Sequence, residues 1–536
     1  MGAWRIWGRV GETVTRRGGV GLKVRGTLLG VLACLAALLA LGCSGASEAS
    51  SQEETQVSTQ SGTNQEKAEA SADQPNMIFV LTDDLDYAST QKMPGINSLL
   101  VEEGTSFEEA FVSHPVCCPS RATILTGLYD HNHEVLSNNP PSGGFEKFLF
   151  EGHEEDSIAV SLQDGGYQTA FFGKYLNGYP SDDDTHVPPG WDEWYGKLDG
   201  QKLYDYQMNE NGEVVSYGSD TEDFFTDVLS GQATDFVGRA ASDSSPFFMY
   251  VAPTAPHGPA TPAERHEGEF AEEEAPRPPS FNEEDVSDKP SHVEGSSLLS
   301  DEEISEIDDY YRQRLESMLA VDEMVTSLAK ELEAAGELDN TYIFFTSDNG
   351  WEGGEHRIPK GKNRPYEESA HVPLLVRGPG VTAGSEVGKL TINTDFAPTF
   401  ADLGGVAFSS DGRSFAPLLR GEDPGWRSSI LIERLNTGQS GEEASDEGKG
   451  KGKGKGKSKG KADRGAPPYE AIRTGAHKYV EYENGERELY DLGADPYELD
   501  NIYESADPAL VEDLETRLEA LRGCSEDGCR EAEDAP

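Results

Sequence analysis

Four short apolar runs in the sequence each lead into residues able to do chemistry. "NMIFVLTDD" ends in Asp83 and Asp84, "TAFFGKYLN" carries Lys174, "PFFMYVAPTAPHGP" leads to His257, and "YIFFTSDNG" ends in Asp348 and Asn349. The acids and the asparagine are oxygen donors, which suit a hard divalent cation such as calcium or magnesium better than zinc. Asp-Asp and Asp-Asn pairs also serve as turns and helix caps, so either pair alone is weak; both after apolar runs point to a shared metal site. A fifth stretch, "HPVCCPSRATILTG" at residues 114–127, holds Cys117 and Cys118 ahead of Pro119, Ser120 and Arg121. Proline is favoured in the first turn of a helix, so the stretch predicts a helix over "SRATILTG" ending near Gly127, with Cys117 just ahead of it. Helix N-termini favour anions, and Arg121 offers a planar fork to a tetrahedral oxyanion. A nucleophile in an anion pocket beside a metal is one reading; a buried structural cysteine with a surface arginine is the other.

The elements that must position these residues follow from the pattern. Apolar runs of this length without alternation suit strands buried on both faces. Between them lie helical patterns, clearest over 303–335, where Tyr311, Leu315, Met318, Leu319, Val325, Leu328 and Leu332 fall near one stripe and Gly336 is a stop signal. Strands alternating with helices predict an α/β domain with a mainly parallel sheet flanked by helices. Ligands in such sheets bind beyond the carboxyl ends of the strands, where all four chemical positions fall. Residues 469–492, with the turn signal Asn484-Gly485, predict a smaller C-terminal antiparallel sheet. Residues 267–300 are acidic and proline-rich and read as a surface loop.

Composition limits the partners. The 536 residues include 98 acidic and 44 basic side chains, a net charge of −54, which repels nucleic acid. Residues 1–43 read as a leader: basic residues, a 16-residue apolar run from Thr27 to Gly42, then Cys43. The run is short of the roughly 20 residues a spanning helix needs. "ALLALGC" resembles a bacterial lipoprotein processing site with Cys43 lipidated, so export to the cell surface is expected, with membrane contact only through the lipid; plain secretion by a signal peptide is the alternative and an uncleaved anchor the third option. Residues 44–74 lack large apolar side chains and read as a disordered tether. Residues 75–425 read as the main α/β domain and 426–536 as the C-terminal subdomain, interrupted at 446–463 by a disordered Gly/Lys insertion. Cys524 and Cys529 are close enough to close a small disulfide loop outside the cell.

"CCPSRATILTG" resembles the sulfatase signature, Cys-x-Pro-Ser-Arg followed by Leu-Thr-Gly. The resemblance runs from about Asn76 to about Arg530 and includes "HNHEVLSNN", "FFGKYLNGY", "VPPGWDEW", "SDNG" and "YEESAHVPLLVRGPG". The subgroup it is most similar to is the N-acetylglucosamine-6-sulfatases and extracellular heparan endosulfatases. The resemblance implies the alkaline-phosphatase-like fold. It also implies that a formylglycine-generating enzyme converts Cys117 to Cα-formylglycine, whose hydrate attacks the sulfur through one hydroxyl and releases sulfate through the other. It implies Ca2+, with Mg2+ the alternative, held by Asp83, Asp84, Asp348, Asn349 and residue 117. Arg121, Lys174 and Lys362 would stabilise negative charge, with Lys360 the competitor of Lys362, and His257 would protonate the leaving oxygen. His131 and His133 either line the pocket or are solvated loop histidines. Many family members carry a histidine where this chain has Leu176; Asn177 is the substitute expected here. The implied substrate is a sulfated carbohydrate, such as a 6-sulfated glucosamine, or an aryl sulfate. The rivals are a phosphodiesterase or phosphonate monoester hydrolase of the same fold, and a non-catalytic surface glycan-binding lipoprotein.

Overall fold

A computed structural model describes residues 74–198, 200–243, 245–438 and 465–536. The expectations for 1–43, for 44–74 apart from Gln74, and for 446–463 fall outside the described residues.

Ten strands form the main sheet: β1 (Asn76–Thr82), β2 (Thr105–Phe107), β3 (Gln168–Gly173), β4 (Glu193–Lys197), β5 (Gln207–Glu210), β6 (Glu213–Ser216), β7 (Phe247–Ala252), β8 (Thr341–Ser347), β9 (Leu374–Arg377) and β10 (Ser385–Val387). Their order is β10-β2-β9-β8-β1-β7-β3-β4-β5-β6. The five strands from β8 to β4 run parallel, and the pairings β9 with β8 and β4 with β5 are antiparallel. Every residue of β1, β7 and β8 is buried, which explains their unbroken apolar runs.

Helices cover both faces. On one, α2 (Phe225–Ala240) and α3 (Asp301–Ala335) pack Leu229, Phe236, Leu315, Met318 and Val325 against Ile78, Val80 and Met249. On the other, α1 (Cys117–Thr126) and α4 (Phe396–Gly404) pack Ile124, Leu125 and Phe400 against Phe79, Phe171 and Phe248. The two sets of strand residues are one apart in sequence, as the pleat requires. Helix α3 matches its pattern: Ser300 and Glu303 form a capping box and Gly336 closes it at φ 79°.

A separate antiparallel sheet joins β11 (Ser429–Arg434), β12 (Tyr469–Thr474), β13 (His477–Tyr482) and β14 (Arg487–Asp491). Gly485 turns the last hairpin at φ 91°. Helix α5 (Pro508–Leu521) packs Leu514 and Leu518 on this sheet, and Cys524 and Cys529 form a disulfide beyond it.

Residues 267–300 run largely exposed over the surface, as expected, and are anchored by a few buried side chains. Val286, Val293, Glu283 and Lys289 are buried; Glu283 accepts from His356 Nδ1 at 2.7 Å, and Lys289 donates to the Leu499 carbonyl at 2.5 Å. The segment keeps its buried charges because each has a partner.

Candidate active site

Strand order assembles the site. The strands β8, β1, β7 and β3 are consecutive neighbours, and they are the four whose carboxyl ends lead into Asp348-Asn349, Asp83-Asp84, His257 and Lys174. Thr82 and Ser347 are in register, so Asp83 and Asp348 leave the sheet side by side. The Asp348 amide donates to the Thr82 carbonyl at 3.1 Å. Gly173, at φ 109°, crosses close to β7: a Cβ there would lie 2.1 Å from the Ala252 carbonyl oxygen. That close approach aims Lys174 inward, where its Nζ donates to Asp83 Oδ2 at 2.7 Å.

Helix α1 brings in residue 117. It begins at Cys117 itself rather than just behind it. Val116 is extended and its carbonyl accepts from the Ser120 amide at 3.1 Å, so Pro119 occupies the third helical position, where no N–H is needed. Cys117 Sγ lies 3.2 Å from Asp83 Oδ1 and 3.9 Å from Asp84 Oδ1. Arg121 is fully buried rather than at the surface; its Nε donates to Asp348 Oδ2 at 2.8 Å and one terminal nitrogen to the Lys174 carbonyl at 2.7 Å. Lys362 Nζ reaches Asp84 Oδ1 at 2.5 Å and Cys117 Sγ at 2.9 Å. Lys360 instead lies over the Tyr310 ring at 5.4 Å. His257 Nε2 is 3.6 Å from Asp84 Oδ2, and its Nδ1 donates to the Gly258 carbonyl at 2.8 Å.

The charges are strongly perturbed. Burial pushes Asp83 and Asp84 up, but neighbouring cations outweigh it, Lys174 first at Asp83 and Lys362 first at Asp84, and hold both below the usual carboxylate range. Asp348 moves the other way, raised by burial and by Asp83. Burial, then Asp348 and Asp83, push the Cys117 thiol well above its ordinary value, so an unmodified thiol here is a poor nucleophile.

The cluster fits a cation. Ligand atoms of Asp83, Asp84, Cys117 and His257 lie within 4.8 Å of one another. Asp84 Oδ2 and Asn349 Oδ1 are buried without a hydrogen-bond partner, while Asn349 Nδ2 donates to Asp84 Oδ1 at 2.7 Å. Asp348 spends Oδ2 on Arg121 and Oδ1 on the Asp84 amide. A second grouping of His131, Cys524 and Cys529 is no metal site, because its sulfurs form the disulfide.

Several residues fall elsewhere than expected. His131 neither lines the cluster nor is solvated: it pairs with Glu433 at 2.9 Å and with the Cys524 carbonyl at 3.0 Å. Although burial lowers it, Glu433 raises its pKa to about 9. His133 is buried against Thr123 at 3.0 Å. Asn177 makes no hydrogen bond to the cluster; its carbonyl accepts from the Phe145 amide and its Oδ1 is buried without a partner. Two contributors were missed. Gln201 Nε2 approaches Asp83 Oδ2 at 3.3 Å from a loop with no sequence signal. Arg314 donates to the Asp84 carbonyl at 2.6 Å and to Asp86 at 3.1 Å; its signal was a cation inside the apolar stripe of α3.

Residues 75–406 match the family model described as Sulfatase. The chain belongs to the sulfatase family. The N-acetylglucosamine-6-sulfatase of Capra hircus is 36% identical to this sulfatase over 474 residues, covering 85% of each chain. A solved complex of a protein with its substrate D-glucosamine-2-N,6-O-disulfate superposes with TM-score 0.68 at 26% identity, covering 86% of this chain and 99% of that one. The phosphonate monoester hydrolase of Agrobacterium radiobacter, at TM-score 0.62 and 22% identity, covering 84% of this chain and 96% of that one, shares the fold. As a sulfatase the chain is a hydrolase of sulfuric ester bonds.

Proposed function

We propose that the chain removes the 6-O-sulfate of a glucosamine-containing sugar, with residue 117 acting as Cα-formylglycine and Ca2+ or Mg2+ seated in the carboxylate cluster. One observation carries this reading: the residue 117 side chain lies 3.2 Å from Asp83 and 2.9 Å from Lys362 in a buried cluster with orphaned oxygens. Asp83, Asp84, Asp348 and Asn349 are the oxygen donors for the cation. When bound, it draws charge from the sulfate oxygens and acidifies the attacking hydroxyl. Lys362 and Lys174 face the atoms where negative charge grows, and Arg121 pins Asp348 while its unpartnered Nη2 remains for an oxyanion. His257, with Nδ1 committed to Gly258, exchanges its proton with the leaving oxygen at Nε2. The substrate assignment draws on the names of the relatives.

The disulfide at Cys524 and Cys529 supports an oxidising compartment, consistent with export and with a lipid anchor at Cys43. Among the described residues no helix is long and apolar enough to cross a membrane. A formylglycine-generating enzyme is the implied partner.

Tryptic mass spectrometry of the Cys117 peptide, paired with turnover assays, tests the proposal. Formylglycine lowers the peptide mass by about 18 Da relative to cysteine. Glucosamine 6-sulfate is expected to turn over, and an aryl phosphodiester more slowly. An unmodified peptide from an active preparation sinks the formylglycine assignment. Faster phosphodiester turnover favours the phosphonate hydrolase rival, and no turnover of any ester favours the non-catalytic one.

A further inference from the structure

Asp84 sits at φ 66°, in the left-handed region that a residue with a Cβ rarely adopts. Such a conformation persists only where the surroundings over-determine it. The backbone around Asp84 is pinned on both sides. The Asp83 amide donates to the Ala255 carbonyl at 3.2 Å, the Asp84 amide to Asp348 Oδ1 at 3.1 Å and the Leu85 amide to Ser347 Oγ at 2.8 Å. The Asp84 carbonyl accepts from Arg314 Nη2 at 2.6 Å.

The first three partners belong to the strand ends and loops of the site itself. Arg314 comes from outside them, on α3, a 35-residue helix anchored in the core by Leu315, Met318 and Val321. Its side chain is 1% exposed. The same Nη2 donates to Asp86 Oδ2 at 3.1 Å, so one guanidinium grips the chain at Asp84 and again two residues on. Its central carbon lies 4.9 Å from the centre of the Trp351 ring, and Trp351 follows Asn349 by two residues. One arginine on a rigid helix therefore touches both loops that bring oxygen donors to the cluster. It supplies no ligand atom of its own. A positive charge beside a cation site opposes the ion electrostatically. Arg314 favours ion binding only if the geometry it imposes outweighs that repulsion, so the sign of its effect tells the two roles apart.

We propose that Arg314 is a positioning residue for the divalent cation: by holding the Asp84 carbonyl it keeps the Asp84 carboxylate, with its orphaned Oδ2, aimed into the cluster, and so sets the affinity for the ion. The inference rests on the cation reading above and adds to it a residue outside the ligand set. Partners that orient a metal ligand contribute about 10- to 100-fold in affinity.

Isothermal titration calorimetry of the chelator-stripped full chain with calcium chloride, or with magnesium chloride should only magnesium bind, gives the Kd with no substrate present. Heat that survives in an Asp84→Asn variant is subtracted as binding to the acidic surface. Arg314→Met removes the charge and the donors and is expected to raise Kd by about tenfold or more. Arg314→Lys keeps the charge and a donor but loses the fork, and is expected to raise Kd by about threefold. Met318→Ala, one turn along α3, is expected to lower the melting temperature of the ion-free chain yet leave Kd within about twofold. An unchanged Kd in Arg314→Met overturns the inference, as does a lower one, the result expected if Arg314 were only a like charge beside the ion. A rise of the same size in Met318→Ala overturns it too, since that marks general loosening of the helix. Should Arg314→Met not fold, Arg314→Lys decides, and an unchanged Kd there overturns the inference. A wild type that binds neither ion overturns the cation reading itself, and this inference falls with it.

Discussion

Lys362 Nζ lies 2.9 Å from the sulfur of Cys117, across 245 residues of sequence. The same ammonium contacts Asp84 Oδ1 at 2.5 Å, so one lysine links the proposed nucleophile to a proposed metal ligand. The adjacent Asn363 sits at φ 67°, and its Oδ1 is 3.1 Å from His114 Nε2, while His114 Nδ1 meets Asp130 at 2.5 Å. A buried histidine–aspartate pair thus braces the turn that aims the lysine.

Replacing Lys362 by alanine is expected to lower kcat by about 100- to 1,000-fold, the usual cost of removing a group aimed at developing charge. Lys360→Ala is expected to leave kcat within about threefold, because Lys360 lies over the Tyr310 ring and not in the cluster. Steady-state kinetics of the two variants separate the roles. Equal losses of kcat would contradict the assignment.

Chelation should abolish turnover and also lower the melting temperature by about 5 °C or more, since an ion bound only by the folded state stabilises it. Calcium or magnesium added back restores both. The thermal shift is independent of substrate, so a chelator without effect on melting argues against a cation among Asp83, Asp84 and Asn349.

Stability should respond to pH through Glu355. An unfolded glutamate titrates near about 4.3, whereas burial and Glu368 hold native Glu355 protonated up to about 8. Between those values the folded chain binds the extra proton. The group's favourable contribution is therefore present at low pH and is lost as pH rises through the folded value, by at most about 1.4 kcal/mol per pH unit. Urea melts of wild type and Glu355→Gln at several pH values check this: the variant's curve is expected to be flatter, and parallel curves would refute it.

Arg427 makes two hydrogen bonds to Asp395, at 2.7 and 2.6 Å, and pairs with Glu533 at 3.0 Å, all fully buried. It ties the start of the C-terminal sheet to the segment before α4 and to the chain's last helical residues. Arg427→Ala leaves the buried Asp395 without a cation and Glu533 with Arg413 alone, and should cost about 3–5 kcal/mol. The exposed Arg420–Glu422 pair is the control; Arg420→Ala should cost under about 1 kcal/mol in the same denaturant series.

Much of the site was legible because β1, β3, β7 and β8 are short, unalternating apolar runs, and the residue after each such strand in a parallel sheet faces the ligand edge. Lys362 was less legible than Lys174. It lies in a loop where Lys360 is two residues away, and no local pattern says which of the two turns inward. Arg314 was hidden by the stripe that made α3 easy to recognise. The buried anchors of the 267–300 loop, Glu283 and Lys289, were hidden by its acidity, since composition does not reveal whether each charge has found a partner.

By itself the sequence determined the local chemistry: which strands are buried on both faces, where α3 starts and stops, where Gly485 turns a hairpin, and which side chains carry oxygen, nitrogen and sulfur donors. These are matters of dihedral preference and side-chain type within a few residues. Only the tertiary structure decided that β8, β1, β7 and β3 lie in that order, that Asp83 and Asp348 leave the sheet in register, and that Lys362 meets Cys117. Strand neighbours and register are set by burial between segments hundreds of residues apart, and no period within one segment encodes which partner will cover it.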